Sequence, residues 1–260
     1  MSAALHVVRA GAGPSALLIH GSAADHTTWA IQLATLRDRF SMIAYDRRAG
    51  DVTIEDHAAD AAGLLEREPG AALVIGSSLG GVVALELIRA RAARCAGAVL
   101  IEPPIAATDD VSPAPAAFLA EYDRRAAAEG GPAAAELFLR FVLGDASYER
   151  IPEVFRAGAK AKWAEIRSDI AAQIAYRPRY GELRGVGVPV LLLGGERSNP
   201  LYRPTLEALH AALPAARLEI IAGAGHMLHA EAHRRFAERV TAFAAEIGHA
   251  PRTGARGDTL

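Results

Sequence analysis

The sequence predicts a doubly wound α/β fold in which one long helical insertion interrupts a regular alternation of strands and helices. Two observations carry this prediction. Short apolar runs alternate with longer amphipathic stretches along most of the chain. The short runs are apolar on both faces, as in a parallel sheet that helices cover on both sides, and such alternation implies right-handed crossovers.

Six strands and five helices are predicted in the alternating part of the chain. The strands are Ser15–His20, Phe40–Tyr45, Ala72–Gly76, Ala96–Ile101, Val188–Leu193 and Arg217–Ile221. The helices are Trp29–Arg37, Thr53–Glu66, Leu79–Ala93, Thr205–Leu213 and Ala230–Ile247. Functional sites in sheets of this type lie at the carboxyl ends of the strands. The residues that directly follow each strand are therefore the first candidates for a site.

Between the fourth and fifth predicted strands, a segment of the chain shows only helical patterns. In it, Leu137 and Phe141 are four residues apart and can share a helix face, as can Phe138 and Val142. An insertion at this point is well placed to exclude water and shape a pocket, although it could also add packing alone. The predicted division is a core of residues 1–106 and 187–248, a helical cap of residues 107–186, and a flexible tail of residues 249–260.

Composition and charge exclude several classes of protein. Hydrophobic residues form 51% of the chain and charged residues 22%, a balance that indicates a packed domain rather than a disordered chain. A formal net charge of -2 provides no basic surface for nucleic acid or an anionic membrane. The single cysteine, Cys95, excludes an intrachain disulfide and a cysteine-built metal site. We expect a cytoplasmic protein, because neither a secretory pattern nor an apolar run of about 20 residues is found.

The stretch Gly76-Ser77-Ser78-Leu79-Gly80 fits the pattern G-x-S-x-G with Ser78 at its centre. A predicted strand precedes it and an amphipathic helix follows, which is the context of a nucleophile elbow. In that turn the glycines are needed because side chains there would collide with the strand or the helix. The backbone N–H of Leu79, at the start of the helix, is free to bind a developing oxyanion. The alternative is a structural turn with no chemistry.

A serine needs a base to become a strong nucleophile. His226 directly follows the last predicted strand, whereas His229 and His233 fall into the next helix. We therefore predict that His226 is the base rather than a capping or surface histidine. The first strand ends at His20, at the start of the loop that holds Gly21 and Ser22, and we expect His20 to be a structural hydrogen-bonding residue. The same loop offers the N–H of Ser22 as a second oxyanion donor.

Taken together, these segments resemble the α/β-hydrolase family. The matching segments are HGSAADHTTW (20–29), YDRRAG (45–50), GSSLGG (76–81), IEPPI (101–105), VPVLLLGGERSNP (188–200) and GAGHMLHAE (223–231). The resemblance covers most of the chain, from Leu17 to Ile247. It implies an α/β-hydrolase fold with an inserted helical cap, a Ser–His–acid triad, and chemistry on an acyl or related carbonyl group without a cofactor or a metal.

The triad acid departs from the usual pattern of that family. Most members carry an aspartate three residues after the glycine that ends the strand LLLGG, and here that position is Ser198. Glu102, which ends the strand AVLI, stands where haloalkane dehalogenase-like members carry their acid, and in a buried position it needs a partner such as His226. Glu196 lies on the same turn as Ser198. We predict that Glu102 is the triad acid. The alternatives are that Glu196 is the acid or that the triad has no carboxylate.

The substrate is predicted only by class. Phe118, Phe138, Phe141 and Trp163 are the candidate lining residues of a pocket, although most aromatic residues at helical spacing belong to a core. No charged group stands out as a clamp for a carboxylate or a phosphate. We therefore expect a small to medium, mainly apolar ester, lactone or carbon–carbon-bond substrate.

Three functions are compatible with these residues. The first is a serine hydrolase that forms an acyl-enzyme on Ser78. The second is a non-hydrolytic enzyme on the same scaffold that performs acyl transfer, lyase or cyclisation chemistry in a biosynthetic pathway. The third is a non-catalytic binding protein for a small molecule, which the presence of both Ser78 and His226 disfavours. The expected partner in each case is a small molecule rather than a nucleic acid or a membrane.

Overall fold

A computed structural model describes residues 5–110 and 114–250 of the chain. Its strands are β1 (Val7–Ala10), β2 (Ser15–Ile19), β3 (Ser41–Tyr45), β4 (Ala72–Ser77), β5 (Cys95–Ile101), β6 (Val190–Gly195) and β7 (Ala216–Ile221). They form one sheet in the order β1-β3-β2-β4-β5-β6-β7, in which only β1 is antiparallel to its neighbour. Of the predicted tail, residues 251–260 lie outside the described residues.

The six predicted strands are confirmed, each within two residues at either end. The sequence did not predict β1, which has four residues, is half-buried and carries the exposed Arg9. Such a strand has no continuous apolar run. It pairs with β3 at the edge of the sheet, where one side of the strand meets solvent.

The helices begin and end close to their predicted positions. In chain order they are α1 (Ala30–Thr35), α2 (Ile54–Leu65), α3 (Leu79–Ala90), α4 (Ala114–Glu129), α5 (Gly131–Leu143), α6 (Asp145–Arg150), α7 (Glu153–Ala161), α8 (Trp163–Ala175), α9 (Tyr180–Leu183), α10 (Tyr202–Ala212), α11 (Leu228–Glu231) and α12 (His233–Glu246). A 3₁₀ turn, His26–Trp29, precedes α1, and the predicted helix Ala230–Ile247 is divided into α11 and α12. Within the described ranges, no helix combines the length and the apolar character that a membrane crossing needs.

The core lies on both faces of the sheet. Leu17 and Ile19 of β2 point to the face that α2, α3 and α10 cover, and Ala16 and Leu18 point to the face that α1 and α12 cover. These β2 residues are fully buried. This two-sided burial explains why the central strands read as continuous apolar runs.

The inserted segment, residues 107–186, holds α4 to α9 and, in its described part, no strand. It has an apolar cluster of its own, which includes Tyr122, Phe138 and Tyr148. A buried ion pair joins it to the sheet domain: the guanidinium of Arg47, in the loop after β3, donates to both carboxylate oxygens of Asp169 in α8, at 3.0 and 2.9 Å. This pair fixes the segment over the carboxyl end of the sheet.

Candidate active site

Ser78 lies at the sharp turn between β4 and α3, with φ 54° and ψ -122°. Non-glycine residues rarely adopt this conformation, because it is sterically strained. The backbone packs so tightly that a Cβ at Gly76 would overlap the carbonyl oxygen of Gly80, and a Cβ at Gly80 would overlap that of Ile19. The two glycines therefore permit a strand–turn–helix elbow with the serine at its apex.

Two backbone N–H groups are available beside this serine. Leu79 is the first residue of α3, so its N–H has no acceptor within the helix. Ser22 lines the same cavity as Ser78. The loop that carries Ser22 passes close to the elbow, because a Cβ at Gly21 would lie only 3.0 Å from the Cβ of Ser78. This arrangement is suited to binding an oxyanion that forms at Ser78.

Glu102 directly follows β5 and is 1% exposed. Its φ of 42° is again in the strained left-handed region. Its carboxylate accepts three hydrogen bonds, from Nδ1 of His226 at 2.6 Å, the N–H of Gly195 at 2.7 Å and the hydroxyl of Ser198 at 2.6 Å. These three donors fix the carboxylate against the imidazole.

Sheet topology explains why these residues meet. Ser77 pairs with Ile101 across β4 and β5, and Ile101 pairs with Leu193 across β5 and β6. The strands are parallel, so the residues that follow them emerge at one edge of the sheet. Ser78, Glu102 and the turn after β6 are thus neighbours, and the loop after β7 brings His226 to the same edge.

The alternative acid, Glu196, has a different contact. It is exposed, and its carboxylate accepts the N–H of Gly223 at 2.7 Å. It therefore stabilises the turn after β7 rather than the imidazole. Ser198, where the sequence resemblance would place the acid, instead donates its hydroxyl to Glu102. The structure thus joins Glu102, and not Glu196, to His226.

An aromatic ring covers the imidazole of His226. Tyr202, at the start of α10, stacks on it with ring centroids 4.5 Å apart and planes 8° from parallel. Both side chains are buried, and desolvation raises the pKa of the Tyr202 phenol well above its ordinary value. The sequence prediction missed Tyr202, since it placed the start of the helix at Thr205 and a tyrosine at a helix start carries no functional signal.

A cavity of about 330 Å³ opens beside Ser78 and Tyr202. Three of the predicted lining residues, Phe118, Phe138 and Phe141, belong to its wall. The prediction that Trp163 lines it is wrong: the Trp163 ring packs so closely against Gly131 that a Cβ there would overlap it. The wall also contains residues that were not predicted, among them Pro104, Val142, Ile170, Gln173, Ile174, Arg177 and Leu201.

The fold is that of a known family. A family model described as "Alpha/beta hydrolase family" matches residues 16–239. The chain belongs to this family. No curated protein matches the chain significantly by sequence.

Several solved structures resemble this α/β hydrolase along most of its length. A thermophilic esterase from Thermogutta terrifontis is 27% identical, with a TM-score of 0.80 and 94% of each chain covered. An enol-lactonase from Burkholderia xenovorans is 25% identical, with a TM-score of 0.77, and covers 93% of this chain and 96% of its own. A carboxylesterase from Bacillus subtilis is also 25% identical, with a TM-score of 0.75, and covers 93% of this chain and 88% of its own.

Two other buried histidines of this α/β hydrolase lie near the site. As predicted, His20 is a structural residue: Nδ1–H donates to the carbonyl of Gly21 at 2.8 Å, and Nε2 accepts the N–H of Arg47 at 3.0 Å. Burial, and then the charge of Arg47, lower the pKa of His20 to about 3. Burial, and then the charge of His226, lower the pKa of His229 to about 3 as well. Both imidazoles are therefore neutral near pH 7, and within residues 5–110 and 114–250 neither hydrogen-bonds to a carboxylate.

Proposed function

We propose that this protein is a serine hydrolase that cleaves an ester, lactone or related carbonyl bond of a small, mainly apolar substrate through an acyl-enzyme on Ser78. One observation carries the proposal: the strained Ser78 opens onto the same cavity as Tyr202, whose ring stacks on an imidazole that Glu102 orients. The esterase and lactonase similarities at 25–27% identity support the class of bond.

The roles of the residues follow from their hydrogen bonds. Because Nδ1 of His226 donates to Glu102, Nε2 is left without a proton and is the basic nitrogen. Ser78 Oγ attacks the substrate carbonyl while His226 Nε2 takes its proton, and the N–H groups of Leu79 and Ser22 bind the oxyanion. The charge on Glu102 stabilises the imidazolium that forms.

The second half of the reaction uses the same groups. The protonated His226 gives its proton to the leaving alkoxide, and the acyl group remains on Ser78. Water then attacks the acyl-enzyme as His226 removes one of its protons. Collapse of the second tetrahedral intermediate returns that proton to Ser78 Oγ and releases the acid.

The cavity favours a neutral substrate. Its volume lies near the lower end of the range of about 300–1,000 Å³ for small-molecule sites. Three charged residues of the described chain line it. The guanidinium of Arg177 donates to the carbonyl oxygens that end α8, the carboxylate of Asp109 accepts the N–H of Tyr180, and Asp110 is exposed to solvent. They do not form a clamp for an ionised substrate, and the phenylalanine side chains supply apolar contact.

A covalent probe tests this function. Intact-mass spectrometry after exposure to a small fluorophosphonate should show one adduct on the wild-type protein. Ser78→Ala should show none and should lose hydrolysis of a short-chain p-nitrophenyl ester. The matched control is Ser77→Ala, which removes the neighbouring hydroxyl and should keep the adduct. A folded wild-type protein that forms no adduct would overturn the proposal.

A second experiment, product analysis, separates hydrolysis from the two alternatives. Product analysis with a competing alcohol or amine acceptor distinguishes hydrolysis from acyl transfer, because a transferase gives the acceptor conjugate as its main product. A binding protein would hold ligands tightly without turnover. We expect the free acid as the main product.

A further inference from the structure

Three potential metal ligands meet on the surface near β1, away from the cavity beside Ser78. The backbone N–H of Asp46 donates to the carbonyl of His6 at 3.0 Å, which extends the antiparallel pairing of β1 and β3 by one residue pair. Residues directly opposite in such a pair place their side chains on the same face. His26, at the start of the 3₁₀ turn, joins them because its own N–H donates to Asp46 Oδ1 at 2.8 Å. One backbone–backbone hydrogen bond and one from a backbone N–H to the Asp46 carboxylate therefore hold all three residues together.

The side-chain atoms lie close enough for one ion. Nδ1 of His26 is 2.8 Å from Oδ1 of Asp46, and the rings of His6 and His26 have centroids 4.8 Å apart. One ligand atom from each of the three residues lies within 4.8 Å of the others. Neighbouring ligands of a tetrahedral zinc ion, each about 2.0–2.1 Å from the metal, are about 3.3 Å apart. The exposed His6 side chain can rotate to bring its ring nitrogen from within 4.8 Å of the other two ligand atoms to about 3.3 Å.

The surrounding charges leave this carboxylate available. Arg47 and Arg48 follow Asp46 directly, but Arg47 is paired with Asp169 and Arg48 with Asp60 at 2.5 Å. Among the residues that the structure describes, Asp46 forms its ion pair with His26. In the described part of the chain, His6, His26 and Asp46 are the one group of three such ligands that meets these distances.

We propose that His6, His26 and Asp46 bind a divalent transition-metal ion of the zinc type, with water completing its coordination. Two imidazoles and a carboxylate are a ligand set that such ions accept. The proposal departs from the sequence expectation that the chain holds no metal, and it is independent of the reaction at Ser78. The ion would link the β1 edge to the segment that leads from Ser22 to His26, so it would stabilise the folded state by binding to it.

Titration with Zn²⁺ tests this site on the full-length, untagged protein after treatment with a chelator. Isothermal titration calorimetry should give one zinc ion per chain for the wild type. His6→Ala, which changes an exposed side chain, should bind at least about tenfold more weakly, and so should Asp46→Asn. The control is His210→Ala, which removes an exposed histidine of α10 and should bind like the wild type.

Two further readouts separate a built site from loose binding to surface histidines. Co²⁺ should give visible absorption bands with the wild type that are absent in His6→Ala. Zn²⁺ should raise the Tm of the wild type and leave that of His6→Ala unchanged. Ester hydrolysis should be equal in the two proteins without metal. Absence of saturable binding, or equal affinity in the wild type, His6→Ala and Asp46→Asn, would overturn the proposal.

Discussion

The turns after β5 and β6 lie side by side at the carboxyl edge of the sheet, and each begins with a glutamate. Glu102 is buried, and its carboxylate contacts His226 and the hydroxyl of Ser198. Glu196 is exposed, and its carboxylate contacts the backbone of Gly223. Two residues of the same type, each directly after a parallel strand, therefore have different surroundings and different contacts.

The difference teaches that a functional position is defined in space rather than along the chain. Ser198 occupies the position from which most family members supply the acid, yet here it supplies a hydrogen-bond donor. The strand next to it supplies the acceptor, Glu102. The turn after β6 thus supplies a hydroxyl and the turn after β5 supplies the carboxylate, which lies 2.6 Å from Nδ1 of His226.

The largest expected effect comes from removing the charge of one glutamate at a time. Glu102→Gln keeps the size of the side chain but leaves the imidazolium of His226 without a counter-charge, so kcat/KM for a short-chain ester should fall about a thousandfold or more. Glu196→Gln is the matched control and should change kcat/KM by less than about twofold. A large loss of kcat/KM in Glu196→Gln, together with a wild-type kcat/KM in Glu102→Gln, would show that Glu196 rather than Glu102 acts with His226.

A second prediction contrasts two buried histidines: His226 hydrogen-bonds to the carboxylate of Glu102, whereas His229, among the described residues, has only the hydroxyl of Thr28 near its ring nitrogen. The folded-state pKa of His229, about 3, lies below its ordinary value of 6.5. Below pH 6.5 the imidazole gains a proton in the unfolded state but not in the folded state, so the free energy of unfolding falls as the pH decreases toward 3. Between pH 7.5 and 4.5 the wild type should lose about 2–3 kcal/mol more unfolding free energy than His229→Phe, because only the wild type must keep this imidazole neutral.

Urea unfolding at the two pH values measures this difference. The contributions of the other titratable groups are present in both proteins and cancel. An equal loss in wild type and His229→Phe would show that His229 is not held neutral by the fold.

A third prediction moves the acid from one turn to the other. In the Glu102→Gln background, Ser198→Asp places a carboxylate on the turn whose hydroxyl already contacts residue 102. We expect the double variant to have a kcat/KM about tenfold higher than that of Glu102→Gln alone. Ser198→Asn in the same background is the control, because it has the same shape without the charge. Equal activity of the two double variants would show that the β6 turn does not reach the imidazole.

The smallest effect concerns the hydroxyl that supports Glu102. Ser198→Ala removes one of three donors to the carboxylate, and we expect kcat/KM to fall about threefold, because the Gly195 N–H and His226 still hold it. Ser198→Thr keeps the hydroxyl and should retain the wild-type rate. Steady-state kinetics of the three proteins check this, and an unchanged rate in Ser198→Ala would remove Ser198 from the positioning network.

Much of the fold is predictable from local sequence pattern. The strands β2 to β6 are short, mainly apolar runs, β7 at the other edge alternates apolar and charged residues, and the helices between them are amphipathic, so pattern alone places them. β1 differs because its pairing with β3 depends on a distant segment and its residues are partly exposed. A four-residue edge strand leaves little trace in the sequence.

The candidate site is predictable only where one strand determines it. Ser78 and His226 each follow a strand, so chain position alone indicates them. The choice between Glu102 and Glu196 depends on how β5, β6 and the loop after β7 are placed in three dimensions, which no local pattern encodes. Trp163 was wrongly assigned to the cavity wall for a similar reason. Helical spacing shows which residues lie on one face of a helix, but it does not show which part of the protein that face packs against.

The ion pair between Arg47 and Asp169 has a consequence for protein engineering. Grafting the helices of a relative between β5 and β6 would remove Asp169 and leave the 5%-exposed Arg47 side chain without its counter-charge. A buried charge that loses its partner costs about 3–5 kcal/mol, a large part of the stability of an ordinary domain. The inserted helices are therefore not an independent module. We expect a chimera to stay folded when Asp169 is retained or when Arg47 is changed with it. A substrate-range library should vary the wall of the cavity beside Ser78 and keep this ion pair constant.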